Sequence, residues 1–185
     1  MNSIFNLVGN TPLVEIVGLS PSPKITLFAK LEMYNPTASV KARAAAHILK
    51  RAEEAGHISK GSTILDASSG NTGIAYAALA ATKGYHLKLC LPKNINPERK
   101  ALLKAYGVEC IFTSPLEGSD GAIRKARELS KENPDWFYCD QYSNDANWKA
   151  HYETTGPEIW EQSNGNVTHF VASLGTSGTF VGTSR

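Results

Sequence analysis

Short apolar runs alternate with longer amphipathic ones along most of this chain. Leu13-Val14-Glu15-Ile16, after the turn signal Val8-Gly9-Asn10-Thr11-Pro12, predicts a strand, and residues 25–33 predict a second beyond a loop marked by Pro21 and Pro23. A helix is predicted over 40–55. Pro36 holds Asn35 out of helical geometry, Ser39 is placed to cap the first turn, and Gly56 ends the run. Four strand–helix repeats follow. Residues 63–67 predict a short apolar strand, and after Ser68-Ser69-Gly70-Asn71-Thr72-Gly73 a helix of small residues runs to Lys83 with Gly84 as its stop. Strand 87–91 leads to a helix opened by Pro97 and closed by Gly107. Strand 108–112 precedes a charged amphipathic helix over 118–131, and strand 136–139 precedes a helix over 154–162 with Pro157 in its first turn. A last strand, 168–172, runs into a glycine-rich loop and an incipient helix. This alternation predicts an α/β fold built on mostly parallel sheets covered on both faces.

Composition narrows the classes without choosing among them. The chain has 185 residues, 42% of them apolar, and a formal charge of +2. That is enough for one large or two small domains, and the balance gives no electrostatic case for nucleic acid or an anionic membrane. The segment Met1-Asn2-Ser3-Ile4-Phe5-Asn6 lacks a basic stretch followed by an apolar run, so no signal peptide is expected. No apolar stretch approaches the ~20 residues that a membrane span requires. Cys90, Cys110 and Cys139 are odd in number and set in apolar, strand-like runs, as buried, reduced thiols of a cytoplasmic protein would be. The histidines (His47, His57, His86, His151, His169) show no metal-ligand spacing, so no metal site is expected.

Candidate chemistry begins at Lys41. In the first turn of its helix the macrodipole is positive, which disfavours the ammonium form, and Arg43 adds positive charge nearby. The dipole is worth at most ~2 kcal/mol, whereas bringing a lysine from ~10.4 to neutrality needs about 4 kcal/mol. Burial must supply the rest; the plain alternative is a solvated lysine at a helix start. Two loops at strand ends offer anion cradles. Gly175-Thr176-Ser177-Gly178-Thr179 presents consecutive backbone N–H groups and three hydroxyls, suited to a terminal phosphate or sulfate; it lacks the spacing of a nucleoside triphosphate or dinucleotide loop. Ser68-Ser69-Gly70-Asn71-Thr72-Gly73 repeats the design and suits a carboxylate, with Asn71 able to bond a neutral or anionic oxygen. The plain alternatives are an unliganded connection for the former and a cap serving only its own helix for the latter. An aldehyde cofactor carrying a phosphate and acting on an amino acid uses both loops and the amine.

The ordered motifs Asn10-Thr11-Pro12-Leu13, Asn35-Pro36-x-x-Ser39-Val40-Lys41-x-Arg43, Ser69-Gly70-Asn71-Thr72-Gly73 and Gly175-Thr176-Ser177-Gly178-Thr179 resemble those of the cysteine synthases, in the β-family (fold type II) of pyridoxal-phosphate enzymes. The segments His151-Tyr152-x-Thr154-Thr155-Gly156-Pro157-Glu158-Ile159-Trp160 and Thr168-His169-Phe170-Val171 look most like the cysteine synthase B branch. The resemblance implies that Lys41 holds pyridoxal 5'-phosphate covalently and shuttles the α-proton, and that Asn71 bonds the ring hydroxyl oxygen. It implies that Gly175, Thr176, Ser177, Gly178 and Thr179 hold the phosphate, and that Ser68, Ser69, Gly70, Thr72 and Gln141 hold the substrate carboxylate. The implied reaction is β-replacement: an O-activated L-serine (O-acetylserine or O-phosphoserine) loses its β-substituent to give an aminoacrylate, and a sulfur donor adds to form L-cysteine. Such enzymes are cytoplasmic homodimers of two three-layer domains, here a smaller domain over 39–142 and a larger one from 1–38 and 143–185.

Two departures stand out. Ala42 occupies a position that is usually aspartate in the family, and members of the family continue past residue 185, so the chain reads as C-terminally shortened with its larger domain incomplete. Cystathionine β-synthase-like and serine or threonine dehydratase-like chemistry share the lysine and both loops. A shortened, non-catalytic paralogue is the reading of a different kind.

Overall fold

In the computed structural model, residues 4–185 are described. Met1, Asn2 and Ser3, part of the segment read above for a leader, lie outside the described residues. A short antiparallel pair comes first, β1 (Leu13–Glu15) against β2 (Phe28–Lys30), with Val14 opposite Ala29. The predicted strand over 25–33 thus contracts to three residues, because only Phe28–Lys30 faces a partner strand. Helix α1 (Lys41–Glu54) follows, ending one residue before Ala55, with Gly56 beyond it at φ +74°.

The strand–helix repeats then appear in order as β3 (Thr63–Ala67), α2 (Asn71–Lys83), β4 (His86–Pro92), α3 (Pro97–Ala105), β5 (Glu109–Thr113), α4 (Gly118–Glu132) and β6 (Phe137–Tyr138). They build one parallel four-stranded sheet in the order β5-β4-β3-β6. Both central strands are buried along most of their length, as their largely apolar runs require, with Asp66 and Lys88 as the polar interruptions. One face packs Ile64, Leu89 and Leu91 against the small residues of α1 and α2 and against Leu103 of α3. The other packs Leu65, Ala67 and Cys90 against Ala122 and Ala126 of α4. Alanines on α1 and α2 let those helices lie close, and Gly73 does the same for α2 and the sheet. A Cβ there would stand 3.0 Å from Leu89 Cδ1 and from the Ser68 carbonyl oxygen.

Two expectations fail toward the C-terminal end. The helix predicted over 154–162 starts earlier, as α5 (Ala146–Ala150). It continues through a π-helical turn (His151–Thr155) into α6 (Gly156–Gln162), with Pro157 in the first turn of α6. The buried polar side chains Asn147, His151 and Thr155 conceal the apolar periodicity that would mark this helix. The strand predicted over 168–172 does not form. Its backbone N–H groups donate to nothing among the described residues, and Val171 and Leu174 are 91% and 72% exposed. A strand requires a neighbour for its ladder, and β1 and β2, which lie outside the main sheet, pair with each other. The last element is α7 (Gly178–Ser184).

Candidate active site

The turn before α1 is tightly specified. Asn35 is 3% exposed; its Oδ1 accepts from the Gly9 N–H at 2.9 Å and its Nδ2 donates to Glu32. Ala38 takes φ +54°, a left-handed conformation that a non-glycine residue holds only when its surroundings impose it. Ser39 Oγ accepts the Lys41 N–H at 3.3 Å, so the hydroxyl named as a cap meets the first helical residue, although Val40 is the residue that flanks the helix. Lys41 is therefore the opening residue of α1. Its side chain is half-buried, burial pushes its pKa below the ordinary lysine value, and its amine makes no hydrogen bond or ion pair among the described residues.

Arg43 differs from expectation. It does not present a free positive charge to Lys41, because its guanidinium is shared between Glu32 and Glu158, with further bonds to Thr11 and Thr154. Ala42 beside it is 1% exposed, packed in the core rather than facing the helix N-terminus from solvent.

Residues 68–73 connect β3 to α2. Ser68 Oγ accepts from the Gly70 and Gly73 N–H groups at 3.3 and 3.0 Å, so this oxygen does serve its own helix. The backbone N–H groups of Ser69, Asn71 and Thr72 donate to nothing among the described residues. Asn71 is exposed, and Thr72 is buried.

Residues 175–179 precede and open α7. Ser177 sits at φ +62°, and the N–H groups of Thr176, Ser177, Gly178 and Thr179 are likewise without acceptors among the described residues. Gly178 is required by contact: a Cβ there would stand 2.1 Å from Asn147 Oδ1. One turn on, a Cβ at Gly182 would stand 2.1 Å from the Trp148 carbonyl oxygen. These two glycines bring α7 against α5.

A hydrogen-bond relay joins the two loops. Gln141 Nε2 donates to the Ala67 carbonyl at 2.8 Å, next to Ser68. Asn147 Nδ2 donates to the Gln141 carbonyl at 2.7 Å and to Thr176 Oγ1 at 2.8 Å. A cavity of about 120 Å³ borders the relay at Gln141, Asn147, Thr176 and Gly178. Gln141 and the 175–179 loop are thus brought together at the end of β3, and Asp140, just before Gln141, is another left-handed non-glycine residue at φ +42°.

Sequence reasoning missed Asn147 and His151. They lie four residues apart with Thr155 four further on, a buried polar stripe; that spacing was the available signal. His151 is 1% exposed, with Nδ1 2.8 Å from Thr155 Oγ1 and Nε2 3.3 Å from Thr179 Oγ1. Burial, then the charges of Arg43 and Lys41, push its pKa down to about 4 against the opposing pull of Glu32. The ring is neutral near neutral pH. Asp66, behind the first loop, was also missed as more than a strand residue. It is fully buried, Oδ1 accepts the Ala67 N–H at 2.8 Å, and Oδ2 makes no hydrogen bond among the described residues.

Among the described residues the Lys41 amine makes no hydrogen bond or ion pair, the 176–179 N–H groups are free for a tetrahedral anion, and those of Ser69, Asn71 and Thr72 are free for a carboxylate, each a feature that an amine-reactive, anionic ligand would use. The family profile for pyridoxal-phosphate-dependent enzymes matches residues 4–185. The cysteine synthase of Aquifex aeolicus is 48% identical over 187 residues, covering 99% of this chain and 57% of that protein. Cysteine synthase B of Salmonella typhimurium is 46% identical over 185 residues, covering 100% and 61%. The crystal structure of cysteine synthase from Entamoeba histolytica superposes with a TM-score of 0.92 at 38% identity, covering 100% of this chain and 56% of that one. The chain therefore spans less than two thirds of the length of these relatives.

Proposed function

Because the chain belongs to the family of pyridoxal-phosphate-dependent enzymes, we propose that it carries the lysine, the phosphate cradle and the substrate loop of a cysteine synthase. The residues present fit the cofactor. Among the described residues the 176–179 N–H groups lack acceptors, as a phosphate-binding loop requires, and the Lys41 amine has no competing partner. When bound, pyridoxal 5'-phosphate supplies an electron sink for charge developing at the substrate α-carbon.

In this reading Lys41 Nζ would hold the cofactor at its aldehyde, with loss of water, and would take up or return the α-proton, a role served by its lowered pKa. Gly175, Thr176, Ser177, Gly178 and Thr179 hold the phosphate, and Asn71 bonds the ring oxygen. Ser69, Gly70, Thr72 and Gln141 orient the substrate carboxylate. Ser68 contributes at most its O–H, since its oxygen already accepts two backbone bonds. The reaction is β-replacement on an O-activated L-serine with a sulfur donor to give L-cysteine; the relatives' names support cysteine as the product. Residues 39–142 form the smaller domain, with 1–38 and 143–185 in the larger. The whole protein acts as a cytoplasmic homodimer; the exposed Met33, Tyr34 and Trp160, at 60%, 66% and 61%, are consistent with burial against a second copy.

The observation that carries this reading is the Ala67–Gln141–Asn147–Thr176 relay, which ties the substrate loop to the phosphate loop. Its test is the visible absorbance that lysine-linked pyridoxal phosphate gives, followed by product analysis with O-acetylserine or O-phosphoserine and sulfide. The expected results are a band in the parent chain that Lys41→Ala abolishes without unfolding, and cysteine as the product. A band that survives Lys41→Ala would remove the lysine from its role, and pyruvate in place of cysteine would turn the reading to a dehydratase.

A further inference from the structure

Thr155, His151 and Thr179 form a line of three hydrogen-bonding groups that ends at the phosphate loop. Thr155 Oγ1 lies 2.8 Å from Nδ1, and Thr179 Oγ1 lies 3.3 Å from Nε2. We infer that His151 is a positioning residue for Thr179: its Nε2–H donates to Thr179 Oγ1 and leaves the threonine hydrogen to be donated to a phosphate monoester at residues 176–179. This assignment rests on the cofactor reading above and adds a residue and a proton to it.

The neutral ring carries one N–H, so two arrangements exist. With the hydrogen on Nδ1, His151 donates to Thr155, and Thr179 spends its only hydrogen on Nε2. Thr179 then turns lone pairs toward an incoming dianion. With the hydrogen on Nε2, Thr155 donates to Nδ1, Thr179 accepts from Nε2, and the Thr179 O–H points to the anion. Only the second arrangement provides a hydroxyl donor alongside the free N–H groups of the loop.

The packing holds this geometry in place. His151 is 1% exposed and begins the π-helical turn, a feature often found at functional sites. Gly182 admits the imidazole to α7, since a Cβ there would lie 2.7 Å from His151 Cβ as well as striking the Trp148 carbonyl. The positive charges of Arg43 and Lys41 act against the imidazolium form, and Glu32 favours it.

The test reads the tautomer directly. In the full ¹⁵N-labelled chain with pyridoxal phosphate bound, the His151 nitrogen shifts are expected to report Nε2–H; Nδ1–H would overturn the assignment. Affinity gives a second reading. His151→Leu is expected to weaken pyridoxal phosphate binding about tenfold while changing pyridoxal, which has no phosphate, by less than about twofold. His151→Gln, which keeps a donor, is expected to stay within about threefold of the parent. In a Thr179→Val background His151→Leu should add no further loss. Equal losses for both compounds, or an undiminished loss without the Thr179 hydroxyl, would make His151 a packing residue only. If His151→Leu does not fold, the tautomer in the parent decides. A parent chain that binds neither compound would fail at the cofactor reading itself, a result distinct from binding with the wrong tautomer.

Discussion

Arg43 and Glu158 meet through two parallel hydrogen bonds, Nη1 to Oε1 and Nη2 to Oε2, each 2.7 Å long. They fasten α1, whose first residue is Lys41, to α6, more than a hundred residues later in sequence (|i−j| = 115). Glu32 completes the pair on the other side of the guanidinium, and Lys30 Nζ lies 2.7 Å from Glu158 Oε2. Burial pushes the Glu158 carboxyl up, but hydrogen bonds from Arg43 and Lys30 outweigh it and bring the pKa down to about 2. The Arg43 side chain is 1% exposed, so removing one carboxylate strands a buried cation. Glu158→Ala is expected to lower stability by about 2–4 kcal/mol in urea unfolding at neutral pH, Glu32 limiting the loss. Because the folded pKa is depressed, the contribution is full above the unfolded value of 4.5 and is lost as pH falls toward about 2. Parent and variant stabilities should therefore converge on acidification.

Much of this arrangement was legible in the sequence, for physical reasons that also mark where legibility ends. Strand β3 fell where expected because its run is mostly apolar, and helix α2 ends where Gly84 signals a stop, although it opens at Asn71, inside the stretch read as a loop. The strand at 168–172 was misread because Val171 and its neighbours have strand character but no partner for their backbone groups among the described residues. Lys41 and both loops announced themselves through capping and glycine chemistry. Asn147, His151 and Asp66 did not, since what makes them notable is whom they touch. The pairing of Arg43 was equally invisible: it depends on Glu158, which no local pattern connects to α1.

The glycines of α7 give the next prediction. Gly178→Ala would place a methyl 2.1 Å from Asn147 Oδ1, at the centre of the relay, and Gly182→Ala would place one 2.1 Å from the Trp148 carbonyl. The Trp148 backbone cannot swing aside as a side-chain tip does, so Gly182→Ala is expected to displace α7. A loss of roughly 1–3 kcal/mol in stability and a fall of about tenfold in pyridoxal phosphate affinity should accompany it. Isothermal titration and tryptophan emission would check both. Gly178→Asp should weaken cofactor binding further than Gly178→Ala, because its carboxylate adds repulsion to a phosphate.

Lys41 makes a prediction in pH. Burial lowers its pKa from the ordinary 10.5, so its neutral amine becomes available at lower pH than that of a free lysine. The rate at which the visible band forms with pyridoxal phosphate, followed by stopped flow, should rise with pH and level off below the pH at which an N-acetyl-lysine control does. Coincident profiles would assign Lys41 the reactivity of a solvated lysine.

Asp66 supplies a prediction of opposite sign to that for Glu158. Its carboxyl is fully buried between the sheet and Tyr76, with Asp140 and Cys139 nearby, and burial raises its pKa from 3.8 to about 7. Between those values the folded chain retains a proton that the unfolded chain has released. The contribution of this group is therefore most favourable below 3.8 and is lost as pH rises through about 7. The loss amounts to roughly 4 kcal/mol as an upper bound. Asp66→Asn keeps the shape and an acceptor for the Ala67 N–H while removing the ionisation, so the variant should be more stable than the parent at pH ~8, by roughly 2–4 kcal/mol. At pH ~4, where the parent carboxyl is protonated in the folded state, the two should lie within roughly 1 kcal/mol. Urea midpoints at both pH values measure the difference directly. Parallel stability curves would mean that the Asp66 carboxyl ionises in the folded chain as freely as it does in water.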